Sequence, residues 1–150
     1  MYKRQAGQDA AGVVRLVEGL IPKMNVIFTV ETLEYLRKGG RIGGATALLG
    51  IALSIKPVLY FRDGQTEPLE KPRTRKRAVQ RVLDLMVERV GSHETVHAAV
   101  LHCTAPGEAQ FLAEQVVARF HCVELFTTEA GPIIGTHAGP GTLGVAFYSA

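Results

Sequence analysis

The chain has 150 residues, a net charge of +3, 47% hydrophobic and 21% charged residues, proportions ordinary for a globular domain and a length able to bury about two-thirds of its unfolded surface. No apolar run approaches the roughly 20 residues of a membrane span, and the start, Met1-Tyr-Lys-Arg-Gln5, lacks the apolar core of a secretory signal, so a cytoplasmic protein is expected. Cys103 and Cys122 stand apart, with no second cysteine or histidine at ligand spacing, so no metal, no cofactor and no disulfide is expected.

Residues 9–20 place Val13, Leu16, Val17 and Leu20 on one helical face, and Pro22 stops the helix. No start signal stands ahead of it, and a chain that opens on a helix in need of a partner reads as a piece of something longer. Residues 24–30 alternate as a strand with one face more deeply buried. Residues 32–38 form a short helix closed by Gly39-Gly40, the first glycine being expected in the left-handed conformation. Arg41 follows at once, either held on a tight turn as a ligand group or capping the carbonyls at the helix end.

Residues 45–55 carry hardly a polar atom, so they are expected to be a buried helical segment, either plain core or the wall of an apolar tunnel. Lys56-Pro57 ends it. Residues 58–61 and 66–71 flank Asp63-Gly64 as a hairpin. Lys71, Arg73, Arg75, Lys76, Arg77 and Arg81 then crowd together. They either attract an anionic partner or form a solvated helix start, and without interleaved aromatics they do not point to nucleic acid. Residues 75–90 read as a strong helix with Ala78, Val79, Val82, Leu83, Met86, Val87 and Val90 facing the core. A strand at 96–102 and a helix opened by Pro106 follow, the helix stripe being Ala109, Leu112, Ala113, Val116, Val117 and Phe120. Residues 123–127 and 143–148 read as the last two strands.

Between those strands lies a glycine-dense stretch, residues 131–144, with the lone His137 inside it. Such density predicts a shaped loop, and a shaped loop with one titratable side chain is a candidate site. Gly139-Pro-Gly141-Thr-Leu-Gly144 satisfies the letter of the dinucleotide fingerprint, but a strand follows it where the fingerprint needs a helix N-terminus, and proline removes an amide donor. Nucleotide binding is not expected there. The order of elements predicts an α/β fold: a two-layer mixed β-sheet with packed helices, in a single domain over residues 1–150.

Four blocks taken together resemble the DegV family of bacterial fatty-acid-binding proteins: Thr32-Leu-Glu-Tyr-Leu-Arg-Lys-Gly-Gly-Arg-Ile42; Ile55-Lys-Pro57 followed by Asp63-Gly64; Lys71-Pro-Arg-Thr-Arg-Lys76; and Gly131-Pro-Ile-Ile-Gly-Thr-His-Ala-Gly-Pro-Gly141. The resemblance implies the C-terminal, acyl-binding domain of a two-domain carrier, enclosing one long-chain fatty acid and presenting its carboxylate to a fatty acid kinase. It implies that His137 bonds the carboxylate, that Arg41 and Arg73 lie at the rim for the head group or the kinase, and that Thr136 is a further candidate. The family's N-terminal domain, whose hydroxyls also contact the carboxylate, has no counterpart in these residues.

The competing expectation is an enzyme, a small hydrolase or transferase with His137 as general base and Arg41 holding an anionic substrate. Against it, Glu129 is the one acidic residue near the glycine stretch, and no serine or cysteine sits in a nucleophile elbow.

Overall fold

The computed structural model describes residues 6–149. In chain order its elements are α1 (Ala10–Leu20), a 3-10 turn (Ile21–Lys23), β1 (Asn25–Thr29), α2 (Glu34–Lys38), a long 3-10 stretch (Gly43–Ser54), β2 (Val58–Arg62), β3 (Gln65–Glu70), α3 (Arg75–Val90), β4 (Thr95–His102), α4 (Pro106–Arg119), β5 (His121–Glu129), α5 (Pro132–Ala138) and β6 (Leu143–Ser149). Six strands form one mixed sheet in the order β3-β2-β1-β6-β4-β5. All neighbours are antiparallel except β4 and β5, and α4 supplies the crossover that a parallel pair requires.

Strand periodicity sorts the core onto the two faces of this sheet. One face collects Ile27, Val58, Val96, Val100, Val145 and Phe147 against the inward stripes of α3 and α4. The other collects Phe28, Val30 and Leu59 against Leu33 and Leu36 around α2, and Ala45, Leu48 and Ile55 of the 3-10 stretch. The sheet and its two long helices make the expected layers, and short segments partly cover the opposite face. β1 lies inside the sheet, so Ile27, Phe28, Thr29 and Val30 are all buried, where alternation predicted one dominant face.

Several local expectations change. The first helix does have a start signal: Asp9 takes the N-cap and its Oδ1 accepts from the Gly12 N–H at 2.6 Å. None of its residues is buried, and Val14, Leu16 and Val17 remain exposed. At the end of α2 it is Gly40, φ 68°, that adopts the left-handed conformation, while Gly39 stays helical. The Arg41 N–H then reaches the Leu36 carbonyl at 2.8 Å and the Gly40 N–H the Arg37 carbonyl at 3.1 Å, a Schellman closure. Residues 43–54 bury only Ala45 and Leu48 and leave Leu49, Ile51 and Leu53 exposed. Val117, placed on the α4 stripe by sequence, points to solvent. The hairpin turn is as expected, with Asp63 and Gly64 both at positive φ.

Candidate functional site

The glycine-dense stretch is not all loop. Gly131 caps and Pro132 opens the seven-residue helix α5, which Gly139, φ 82°, terminates. His137 lies in its last turn. Two glycines seat α5 on α2 reciprocally: a Cβ on Gly39 would collide with the His137 ring, and a Cβ on Gly139 would collide with the ring of Tyr35. Pressed against Gly39, the His137 Nδ1 atom is buried and has no hydrogen-bond partner among the described residues. The imidazole borders a cleft.

Arg41 reaches the same cleft. The Schellman turn holds its backbone, and its Nη1 donates to the Gly39 carbonyl at 3.2 Å, the capping contact that the sequence allowed. The guanidinium thus lies beside the peptide against which His137 packs.

The cleft encloses about 700 Å³ on the sheet face opposite α3 and α4. Val26 and Phe28 of β1, Gly144 of β6 and Leu101 of β4 floor it; Leu36, Gly40 and Arg41 at the end of α2 bound one side, and Ile133, Ile134, His137 and Ala138 of α5 another. Phe61, Gly64, Gln65 and Thr66 of the β2–β3 hairpin, His102 and Cys103 at the end of β4, and Gly43, Ala130 and Thr142 complete the lining. Gly144 is required by packing, since a Cβ there would stand 2.6 Å from Cβ of Phe28. Burial pushes the Cys103 thiol up from its ordinary value, and the Glu129 carboxylate adds to the shift, so this cysteine is a wall group rather than a nucleophile. The cleft-lining roles of Phe28, Phe61, Gly144 and Cys103 escaped sequence reading; the alternation of Val26 with Phe28 was the one available signal.

The other predicted residues lie elsewhere. Arg73 is exposed in the turn before α3 and does not line the cleft. Thr136 is exposed and its hydroxyl donates to the Pro132 carbonyl at 2.8 Å within α5. Of the apolar run proposed as a tunnel wall, no residue from 45 to 55 borders the cleft; Gly43, just before it, does. Glu129 does not orient His137: its Oε1 accepts from the Thr104 N–H at 3.3 Å.

Two of the six cations in the basic cluster, Arg75 and Arg81, are neutralised in place. Arg75 forms a two-pronged pair with Glu108, Nη2 to Oε2 at 2.8 Å, which holds the Glu108 carboxyl below its ordinary value. Arg81 binds Glu70, Asp84 and Glu88 together, and its hydrogen bond lowers Glu70 likewise. Lys71, Arg73 and Lys76 remain exposed with no carboxylate partner among the described residues. Among the described residues no cluster of three or more histidine, cysteine or acidic side chains is placed to hold a metal, and no helix is long and apolar enough to cross a membrane.

A mixed α/β domain with an apolar cleft, bordered by one histidine and one arginine, is the class that fold and site define. The chain belongs to the DegV family, whose model, described as that of an uncharacterised protein, matches residues 3–150. A DegV domain-containing protein of Streptomyces coelicolor is 41% identical over 146 residues, 97% of this chain and 52% of that protein. Protein DegV of Bacillus subtilis is 34% identical over 90% of this chain and 48% of its own length. Among solved structures, a fatty-acid-binding DegV family protein from Thermus thermophilus superposes with a TM-score of 0.89 at 33% identity, over 97% of this chain and 52% of that one. DegV of Bacillus subtilis, a fatty acid binding protein, gives 0.81 at 31% identity, over 99% and 53%. The chain therefore spans about half the length of the relatives it matches.

Proposed function

We propose that these residues form the acyl-binding half of a two-domain fatty acid carrier, the C-terminal half in the order of the family. The observation that carries this is the apolar cleft of about 700 Å³ with His137 and Arg41 on its border. A fatty acid is an apolar chain ending in one anion. Each buried methylene contributes about 0.8 kcal/mol, so the floor of Val26, Phe28 and Leu101 carries affinity. A carboxylate leaving water needs charged or hydrogen-bonding partners; His137 and the Arg41 guanidinium meet that need and fix the direction in which the acid lies. The solved relatives from Thermus thermophilus and Bacillus subtilis, described as fatty acid binding, support the same reading.

Presentation of the carboxylate to a fatty acid kinase is the finer form of this proposal. Its support is the exposed, unpaired cations Lys71, Arg73 and Lys76, a surface suited to an acidic partner. Thr136 and Arg73 belong in this reading to that outer surface rather than to the cleft.

The test is organic extraction of the purified protein followed by mass spectrometry, then titration of the delipidated protein with a fluorescent fatty acid. Co-purified acid and rebinding are expected, with His137→Ala and Arg41→Ala each weakening affinity about tenfold, the loss of roughly 1.4 kcal/mol that one charge-assisted hydrogen bond represents. Equal affinity in wild type and both variants would remove His137 and Arg41 from the site. Absence of binding, both in this chain and after fusion to the remaining half of a relative, would end the carrier reading.

A further inference from the structure

The two ends of the cleft are chemically different, and the strand register separates them. β1 runs antiparallel to both β2 and β6, so Thr29, Val58 and Leu143 lie side by side at one end of the sheet. At that end β5 stops, α5 is inserted and β6 begins. The turn of the β2–β3 hairpin, Asp63-Gly64, lies at the other. A carboxylate held at His137 therefore directs its tail along β1 toward the hairpin.

What it meets there is aromatic. Phe61 is the last residue of β2 before the turn to share the cleft face with Leu59, and its ring stacks on that of Phe28 at 5.1 Å with the planes 29° apart. The two rings are unequal: Phe28 is 6% exposed and Phe61 52%. Phe28 is fixed over β6 by the absence of a side chain at Gly144. Phe61 stacks on it from the rim and leaves about half of its own surface open to solvent. Beside it, Gly43 lies against the Thr66 backbone so closely that a Cβ would collide, which closes that flank with main chain. Phe61 is the large apolar side chain at the hairpin end, with Gly64, Gln65 and Thr66 beside it in the lining.

We infer that Phe61 is the stop against which the methyl end of the bound acid rests, and that its size sets the chain length the cleft accepts. This rests on the fatty-acid reading above. Hydrocarbon that extends past Phe61 would emerge into water and gain nothing from burial, whereas a shorter acid would leave apolar wall unfilled. Truncating Phe61 opens room on the scale of the lost ring, and enlarging it fills space now used by the last methylenes.

The experiment is competition loading. Delipidated wild type, Phe61→Ala and Phe61→Trp proteins are each incubated with an equimolar series of straight-chain acids graded from decanoic to docosanoic, and the retained acids are extracted and counted by mass spectrometry. The wild type should show a single preferred length. Phe61→Ala should move that preference longer by roughly two to four carbons, in keeping with the cavity it opens, and Phe61→Trp should move it shorter. Because Phe61 is half exposed, neither change should prevent folding; if the alanine protein does not fold, the direction of the shift in the tryptophan protein decides alone. Identical profiles in the folded proteins would overturn the stop while leaving the carrier intact. A wild type that retains no acid of any length would overturn the carrier reading and the stop together.

Discussion

His137 stands where it does because residue 39 has no side chain. The φ of Gly39 is −79°, a value alanine adopts freely, yet its Cβ would collide with the imidazole. Gly39→Ala is therefore expected to displace His137 without unfolding α2, lowering fatty acid affinity as far as His137→Ala does while the thermal midpoint stays near that of wild type. Titration and a melt on the same sample check both halves of that statement. At this scale the sequence was informative about residues whose chemistry is unusual for their surroundings. His137 among glycines and Arg41 between glycine pairs both reach the cleft. It was silent about Gly39, Gly144, Phe28 and Phe61, whose importance arises from what touches them across the fold. Arg73 and Thr136 could not be separated from the cleft residues in one dimension, because whether a loop side chain turns inward depends on neighbours far along the chain.

Elements with a long, regular stripe were legible nearly to the residue. α3 runs over Arg75–Val90, as its period demands, and Thr74 caps it by accepting from the Arg77 N–H. α5 was not legible. Its punctuation, proline at the first position and glycine after the last, is that of a helix, but glycine, threonine and two isoleucines in seven residues have weak helical preference, and packing against α2 stabilises it. The long 3-10 stretch was misread for a related reason: an apolar run without a stripe does not specify which residues are buried.

On the solvent side of α3, Arg81 gathers three carboxylates while only 17% of its own side chain is exposed. Arg81→Met is expected to lower stability by about 2 kcal/mol at neutral pH, since the partners lose charged hydrogen bonds and face one another. Urea unfolding measures it. Glu70 and Glu108 are held below their ordinary values by Arg81 and Arg75, so their stabilisation is present in full above the usual carboxylate range and fades as pH falls through the lowered folded values. Wild type should lose stability on acidification through that window, and Arg81→Met should lose less, because Glu70 then lacks the hydrogen bond that holds it low in the folded chain.

For the molecule as a whole, alternation of strands and helices announced a mixed sheet but not its order. The pairing of β1 with β6 joins Asn25 to Phe147, a contact between distant parts of the chain that no local pattern encodes. Half of the relatives' length lies outside these residues, and α1, capped and amphipathic yet with nothing buried, shows why its stripe predicted a partner the described fold does not provide.

The place of β6 bears on how the protein is made. Of the six strands it leaves the ribosome last, yet it sits between β1 and β4. Until it emerges, β3-β2-β1 and β4-β5 are two half-sheets with raw inner edges, the surfaces most prone to pair wrongly. The sheet is then completed only once β6 has left the exit tunnel. Stalled nascent chains ending before Leu143 are expected to stay protease-sensitive and bound to chaperones, and those in which Ser149 has cleared the exit tunnel to become resistant. Early resistance in the shorter chains would show that one half-sheet folds alone.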